Sequence, residues 1–318
     1  MRQDIISSEL LAIGIEIGGT KTQVGIGSAD GKLLQKGVLR KNVDRTQGAA
    51  GIREDLLVMV KDLLLSSHLT LSNISKIGIG FGGILDSKRG VVLKSYQIEG
   101  WDRFPLKEWA EKQWGKQVIV QNDASTAGLA ESLVGSGRGC SRVFYMTIGS
   151  GIGGAWIVDG KPDNGQGFGA AEIGHMWVPS PESGVPIELE QICSGWAIGR
   201  RAQLAASKKR TLMKKMVKTV AQIDAKIVYS AAVQGDKLAQ QLMSETCQVL
   251  GLAISNVIDL LHPERVILGG GVALMGPLFW DQLRREVRAR TIPFFAPHVD
   301  LVRAKLKQDV VVVGALCL

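Results

Sequence analysis

Leu11-Ala12-Ile13-Gly14-Ile15-Glu16-Ile17-Gly18-Gly19-Thr20-Lys21 is an apolar run, broken by small residues and one acid, that ends in a glycine turn. It reads as a buried strand. Gln23 to Gly27 returns as a second strand, and the turn Ala29-Asp30-Gly31 leads into a third from Leu33 to Leu39, a three-stranded meander. The pattern then starts again. Val143 to Ile148 is a strand, Gly149-Ser150-Gly151 a turn, Gly154 to Val158 a strand and Asp159-Gly160 a turn. Laid side by side, Ile17-Gly18-Gly19 falls on Ile148-Gly149-Ser150, and Asp30-Gly31-Lys32 on Asp159-Gly160-Lys161. A unit that occurs twice predicts an internal duplication and two similar lobes. Two unrelated glycine-rich hairpins are the competing reading, since Asp-Gly is by itself a strong hairpin signal.

Further along, Ile52 to Leu65 has helical periodicity, and a strand from Ile77 to Gly80 is ended by Gly82-Gly83. Val118 to Gln121 is a strand ended by Asn122-Asp123, and a helix is expected from Ala124 to Val134. The chain reads as helical from about Trp196 to Leu261. A short strand, Val266 to Leu268, ends in Gly269-Gly270-Gly271, and another helix is expected from Leu274 to Arg288. The apolar tail Asp309 to Leu318 is expected to pack back on the first lobe. The expected domains are an N-terminal lobe of residues 1–122, completed by the C-terminal helix 305–318, and a C-terminal lobe of residues 123–304.

A chain of 318 residues has the length of two domains. Hydrophobic residues at 45% and charged residues at 21% fit a soluble globular protein. No apolar run approaches the roughly 18 residues that span a bilayer. Met1 to Glu9 has acids and no apolar stretch, unlike a leader. Cys140, Cys193, Cys247 and Cys317 are scattered without a C-x-x-C pair, which argues against a disulfide framework or thiolate metal site and fits the reducing cytoplasm. The formal charge of +8 is concentrated in Arg200, Arg201, Lys208, Lys209, Arg210, Lys214, Lys215 and Lys218. This stretch reads as a solvated helical face or, alternatively, as a rim that attracts a polyanionic phosphate donor.

Backbone N–H groups converge on a phosphate most readily where glycine permits positive φ and close approach. Three glycine turns follow apolar strands: Gly18-Gly19, Gly149-Ser150-Gly151 and Gly269-Gly270-Gly271. Thr20 and Ser150 add hydroxyls and Lys21 a charge. None fits the Walker spacing, and the first two lead into strands, which disfavours a P-loop or dinucleotide fold. Asp123, at a strand end, is placed to take a proton from a sugar hydroxyl, and Asn122 to hold a neighbouring one. On spacing alone the helix-cap reading of Asp123 is the favoured one. Phosphoryl transfer needs positioning, a metal and a base. Glu16 is a candidate to support Mg2+ through a water, or is simply an acid at a strand end. Glu172, His175, Glu188 and Glu190 form a polar cluster suited to hydroxyls that both donate and accept.

Together these residues resemble the ROK family of bacterial sugar kinases and repressors, nearly end to end. Ile15-Glu16-Ile17-Gly18-Gly19-Thr20-Lys21 resembles its first phosphate motif, with Glu16 where Asp is usual. Asn122-Asp123-Ala124 resembles the catalytic motif, and Ile148-Gly149-Ser150-Gly151-Ile152-Gly153-Gly154 the second phosphate motif. Glu172-Ile173-Gly174-His175 resembles the sugar-binding motif, and Leu268-Gly269-Gly270-Gly271 the adenosine-side glycines. The resemblance implies an α/β, actin-like and ribonuclease H-like duplicated fold with a cleft between lobes. It implies ATP with Mg2+, Asp123 as general base, and Gly82, Gly83, Gln97, Asn122, Glu172, His175 and Glu190 on the sugar side. A homodimer is implied, with no nucleic-acid or membrane partner.

The departures are specific. Pro181, Ser183 and Glu188 stand where the family's zinc cysteines would, so no structural zinc is expected. Gln97 and Ser125 stand where asparagines are usual. The expected activity is ATP-dependent phosphorylation of a hexose, glucose first, at the 6-hydroxyl. The alternatives are a sugar-sensing repressor, an inactive homologue that binds sugar, and polyphosphate as donor. Only about fifteen residues precede Glu16, too few for the helix-turn-helix that repressors of this family carry there.

Overall fold

The computed structural model describes residues 11–318, so the reading of Met1 to Glu9 lies outside the described residues. The predicted meander is β1 (Leu11–Ile17), β2 (Lys21–Ser28) and β3 (Leu33–Asn42). Every residue of β1 is buried. Covering on both faces is why its sequence is continuous apolar and not alternating. There follow α1 (Gly48–Ser66), β4 (Ile74–Phe81), a hairpin of β5 (Ile84–Asp86) and β6 (Val91–Lys94), α2 (Leu106–Trp114), β7 (Gln117–Asn122) and α3 (Asp123–Leu133). The repeat begins with β8 (Arg142–Ile148), β9 (Ile152–Val158) and β10 (Lys161–Pro162). A second hairpin, β11 (Trp177–Pro179) and β12 (Pro186–Glu188), leads into α4 (Glu190–Cys193) and α5 (Gly195–Lys208). The remainder is α6 (Ala225–Val233), α7 (Lys237–Leu261), β13 (Arg265–Gly269), α8 (Gly270–Ala273), α9 (Pro277–Arg290), β14 (Leu301–Arg303) and α10 (Val310–Cys317).

The two large sheets run β3-β2-β1-β4-β7 and β10-β9-β8-β13-β14. Each is a meander with two further strands added beside its first strand, and those additions are parallel. One topology used twice bears out the duplication. By its contacts the chain forms two compact units. One contains the described residues up to Gly139 with Trp156–Ala170 and Lys305–Leu318, and the other Cys140–Ala155 with Ala171–Ala304. In this division α3 belongs with the first unit, whereas the sequence reading drew a boundary at Asn122.

The apolar tail does pack on the first sheet. A Cβ on Gly14 of β1 would lie 2.3 Å from the Val312 carbonyl, and one on Gly78 of β4 would lie 1.8 Å from that of Ala315. Glycine at these two positions lets the α10 backbone rest directly on the strands. The stretch from Trp196 to Leu261, read as helical, is interrupted: α5 ends at Lys208 and short 3-10 turns at Leu212–Lys215 and Val220–Gln222 precede α6. Thr211, Thr219, Asp224 and Asp236 each restart the backbone as N-caps, a competing local signal within an otherwise helical composition. Likewise α9 begins at Pro277, at the first-turn position proline favours, and not at Leu274.

Candidate active site

Parallel pairing brings three strand ends of the first unit level. Ile17 of β1 pairs with Phe81 of β4, which pairs with Asn122 of β7. Gly18-Gly19, Gly82-Gly83 and Asp123 therefore leave the sheet at one carboxyl edge, where open α/β sheets bind ligands. The Gly82 N–H donates to the Ile17 carbonyl at 2.9 Å and joins two of these turns.

Asn122 is the N-cap of α3: its Oδ1 accepts from the Ser125 N–H at 3.1 Å, while its Nδ2 donates to the Gly83 carbonyl at 3.3 Å. The capping role thus falls on Asn122. Asp123 Oδ1 accepts from the Ala124 N–H at 2.8 Å, and Oδ2 lies 3.1 Å from where a Cβ on Gly82 would stand. Only glycine at 82 leaves that side of the carboxylate uncrowded.

At the first glycine turn, the Gly18 N–H donates to the Lys21 carbonyl at 3.1 Å, and Thr20 is exposed. Gln97 lies against Gly19, its Oε1 within 1.6 Å of the position a Cβ there would take. A residue assigned to the sugar side thus packs on the phosphate turn. Arg45, which sequence reasoning missed, donates from Nε to the Gly19 carbonyl at 3.2 Å. Its only signal was a basic residue soon after the third strand.

Glu16 is buried, and burial raises its carboxyl above the ordinary value although Lys21 and Gln23 both pull it down. Lys21 Nζ stands 3.3 Å from Glu16 Oε2, to which the Gln23 amide also donates. Gln23 in turn donates to the Gln308 carbonyl at 3.0 Å and accepts from Arg40 Nε at 2.6 Å. Lys21 is therefore directed at Glu16. Mg2+ keeps several waters and takes one or two carboxylates. Glu16 supplies a carboxylate of the kind such an ion takes: its Oε1 lies on the Gly18 side, 3.8 Å from a Cβ position there.

In the second unit, β8 and β13 are parallel and bring Thr147 level with Gly269. The turns Gly149-Ser150-Gly151 and Gly269-Gly270-Gly271 share that edge. Gly270 has φ +82° and a Cβ there would lie 2.4 Å from the Ile148 carbonyl, so the third turn presses on the end of β8. Gly149 and Gly271 have open space where a Cβ would go. Glu190 Oε2 accepts from the Ile152 N–H at 2.6 Å and lies 2.4 Å from a Cβ position on Gly151. A residue assigned to the sugar thereby also braces the second phosphate turn.

The Glu172 carboxyl is raised by burial, lowered by His175 and raised again by Glu190, so it feels both of those neighbours. His175 Nδ1 stands 3.3 Å from Glu188 Oε1, and Gln191 donates to Glu188 Oε2 at 3.0 Å. Pro181 and Ser183 lie between β11 and β12, and Glu188 is turned to His175. No group of three or more His, Cys, Asp or Glu among the described residues could hold a metal ion, so this region does not fit the family's zinc. Arg201, counted by the sequence reading with a solvated face, is buried and pairs with Glu182 and Glu245. No helix among the described residues is long and apolar enough to cross a membrane.

A sheet topology used twice, with glycine turns and a half-buried aspartate at strand ends, defines an actin-like, ribonuclease H-like duplicated protein of the sugar-kinase class. The chain belongs to the ROK family, whose model matches residues 12–318. A glucokinase from Thermotoga maritima is 31% identical over 312 residues, covering 96% of each chain. The structure of a ROK family glucokinase from Streptomyces griseus in complex with glucose and AMPPNP matches with a TM-score of 0.80 at 30% identity, over 96% of this chain and 98% of that one. A putative xylose repressor from Caldicellulosiruptor sp. is 26% identical over 320 residues, covering 97% of this chain and 77% of its own.

Proposed function

We propose that this protein transfers the γ-phosphoryl group of ATP to the 6-hydroxyl of a hexose, with glucose the first candidate. The observation that carries the reading is the level ending of β1, β4 and β7, with two glycine turns and the Asp123 carboxylate at one sheet edge. Asp123 orients the 6-hydroxyl and takes its proton as that oxygen bonds to phosphorus. The bond from phosphorus to the ADP oxygen breaks, and ADP leaves with the electron pair. Asn122, Glu172, His175 and Glu190 hold the other hydroxyls, and the backbone N–H groups of the three glycine turns hold phosphate oxygens. Mg2+, when bound, would offset phosphate charge, with Glu16 as the carboxylate that would hold it through water.

The test is ADP release over a panel of glucose, mannose, fructose and N-acetylhexosamines, each with ATP and with polyphosphate. The exposed cations Lys208, Lys209, Arg210, Lys214, Lys215 and Lys218 motivate the polyphosphate arm. Turnover on at least one hexose is expected, lowered about 10²–10⁴-fold in Asp123→Asn. An unchanged rate in that variant would sink the mechanism. One observation favours a second reading, a sugar sensor without turnover: Gln97 rests on Gly19, the first phosphate turn. Calorimetric sugar binding with no turnover on any donor would establish it.

A further inference from the structure

We propose that Arg201 is the positioning residue of the sugar subsite, cross-linking the β11–β12 hairpin where zinc ligands are missing. This rests on the sugar-kinase reading. The hairpin carries little apolar anchorage of its own: Val178 is buried, but Trp177 is 68% and Val185 62% exposed. Its two ends nevertheless carry the sugar-binding groups. β11 begins two residues after His175, and β12 ends at Glu188, which bonds His175 and is two residues from Glu190. Any tilt of the hairpin therefore moves both ends of that cluster.

Arg201 lies on α5 and is 8% exposed. Its Nε donates to Glu182 Oε1 at 3.1 Å, in the turn between β11 and β12. Nη2 pairs with Glu245 Oε2, and Nη1 donates to Thr246 Oγ1 at 3.4 Å, both on α7. The acceptors are themselves held: Gln241 donates to Glu245 Oε1 at 2.8 Å, and Thr246 Oγ1 donates to the Leu242 carbonyl at 2.8 Å. One planar guanidinium thus joins the hairpin to two helices, a geometry that a lysine ammonium cannot reproduce. The adjacent Arg200 takes a different course and lies over the Trp196 ring at 5.3 Å. A buried guanidinium holds its position because leaving it unpaired is costly.

The test compares Glu182→Gln, Arg201→Lys and Arg201→Met by steady-state kinetics and by amide hydrogen exchange across the hairpin. Removing the outer partner of a metal ligand characteristically costs about 10–100-fold, and the same order is expected for a group that orients sugar ligands from behind. Arg201→Met is expected to raise the sugar KM by about that factor, with the ATP KM and kcat changed far less. Arg201→Lys should fall between parent and Arg201→Met. Glu182→Gln, whose side chain is largely exposed and whose replacement should not disturb folding, should raise the sugar KM severalfold. All three should speed exchange across the hairpin and spare the middle of α7. An unchanged sugar KM in Glu182→Gln, or equal changes in the KM of both substrates, would overturn the proposal. If the parent turns over no sugar, the kinase reading has failed. Exchange then decides the cross-link alone, and unchanged exchange in Glu182→Gln overturns it.

Discussion

Asn122 and Asp123 divide two tasks that one aspartate might have combined. Because Asn122 caps α3 through its hydrogen bond to the Ser125 N–H, the Asp123 carboxylate can keep its Oδ2 on the Gly82 side. Asn122→Ala should therefore cost about 1 kcal/mol in urea denaturation and also lower kcat, since the cap and its bond to Gly83 set the place of the proposed base next to it. Glu172 makes a pH-dependent prediction. Burial raises its carboxyl above the usual 4.5, so the folded state holds the proton more tightly than the unfolded chain. Its contribution to stability is full below the unfolded value and is lost as pH rises through the folded one. Sugar binding runs the other way, because hydroxyls need the carboxylate as acceptor, so the sugar KM should climb as pH falls through that raised value. Glu172→Gln should be at least as stable as the parent at neutral pH in thermal melts, bind sugar more weakly, and lose this acid limb.

Among the elements, α10 and α7 show what packing and capping contribute. Gly78→Ala would drive a methyl group into the Ala315 carbonyl, so α10 must lift from β4. We expect a loss of at least about 1–3 kcal/mol by urea denaturation. Asp236 begins α7: its Oδ1 accepts from the Ala239 N–H at 2.8 Å, and Oδ2 accepts from the Leu212 N–H at 2.6 Å and the Thr211 hydroxyl at 2.8 Å. Burial would raise this carboxyl, but the bonds from Ala239, Leu212 and Thr211 outweigh it and hold it below 3.8. Its stabilisation is present above the unfolded value and lost as pH falls through the lower folded one. Asp236→Ala should cost about 1–2 kcal/mol and flatten the acid side of the stability profile. Strands and glycine turns were legible in the sequence because buried parallel strands are continuous apolar runs with abrupt glycine ends, as in β1, β4 and β13. The hairpins β5–β6 and β11–β12 were not, since strands this short carry no period. Arg201 was misread for a related reason: composition counts a charge without saying which way its helix faces.

For the whole molecule, the repeated topology was legible because two glycine-ended meanders share one order of signals. Gln97 on Gly19 and Glu190 beneath Gly151 were not, because both are contacts between distant segments whose spacing no local pattern encodes. They join residues proposed for the sugar to turns proposed for the phosphates, within each unit. Hydrogen exchange should report this: saturating glucose should slow amides across 171–191 and also the Gly149–Gly151 turn. A non-hydrolysable ATP analogue should slow Gly149–Gly151 and Gly269–Ala273 and reach Ile152 through Glu190. Ligand-induced protection confined to one motif at a time would contradict the linkage.

The seat of α10 against Gly14 and Gly78 sets an order of events during synthesis. As the nascent chain leaves the ribosome, β1 through β7 emerge early, yet the face that α10 covers stays bare until residues 310–317 arrive. β14 of the other unit emerges only just ahead of α10, so both units close late and nearly together, and the one begun first waits longest with an apolar face bare.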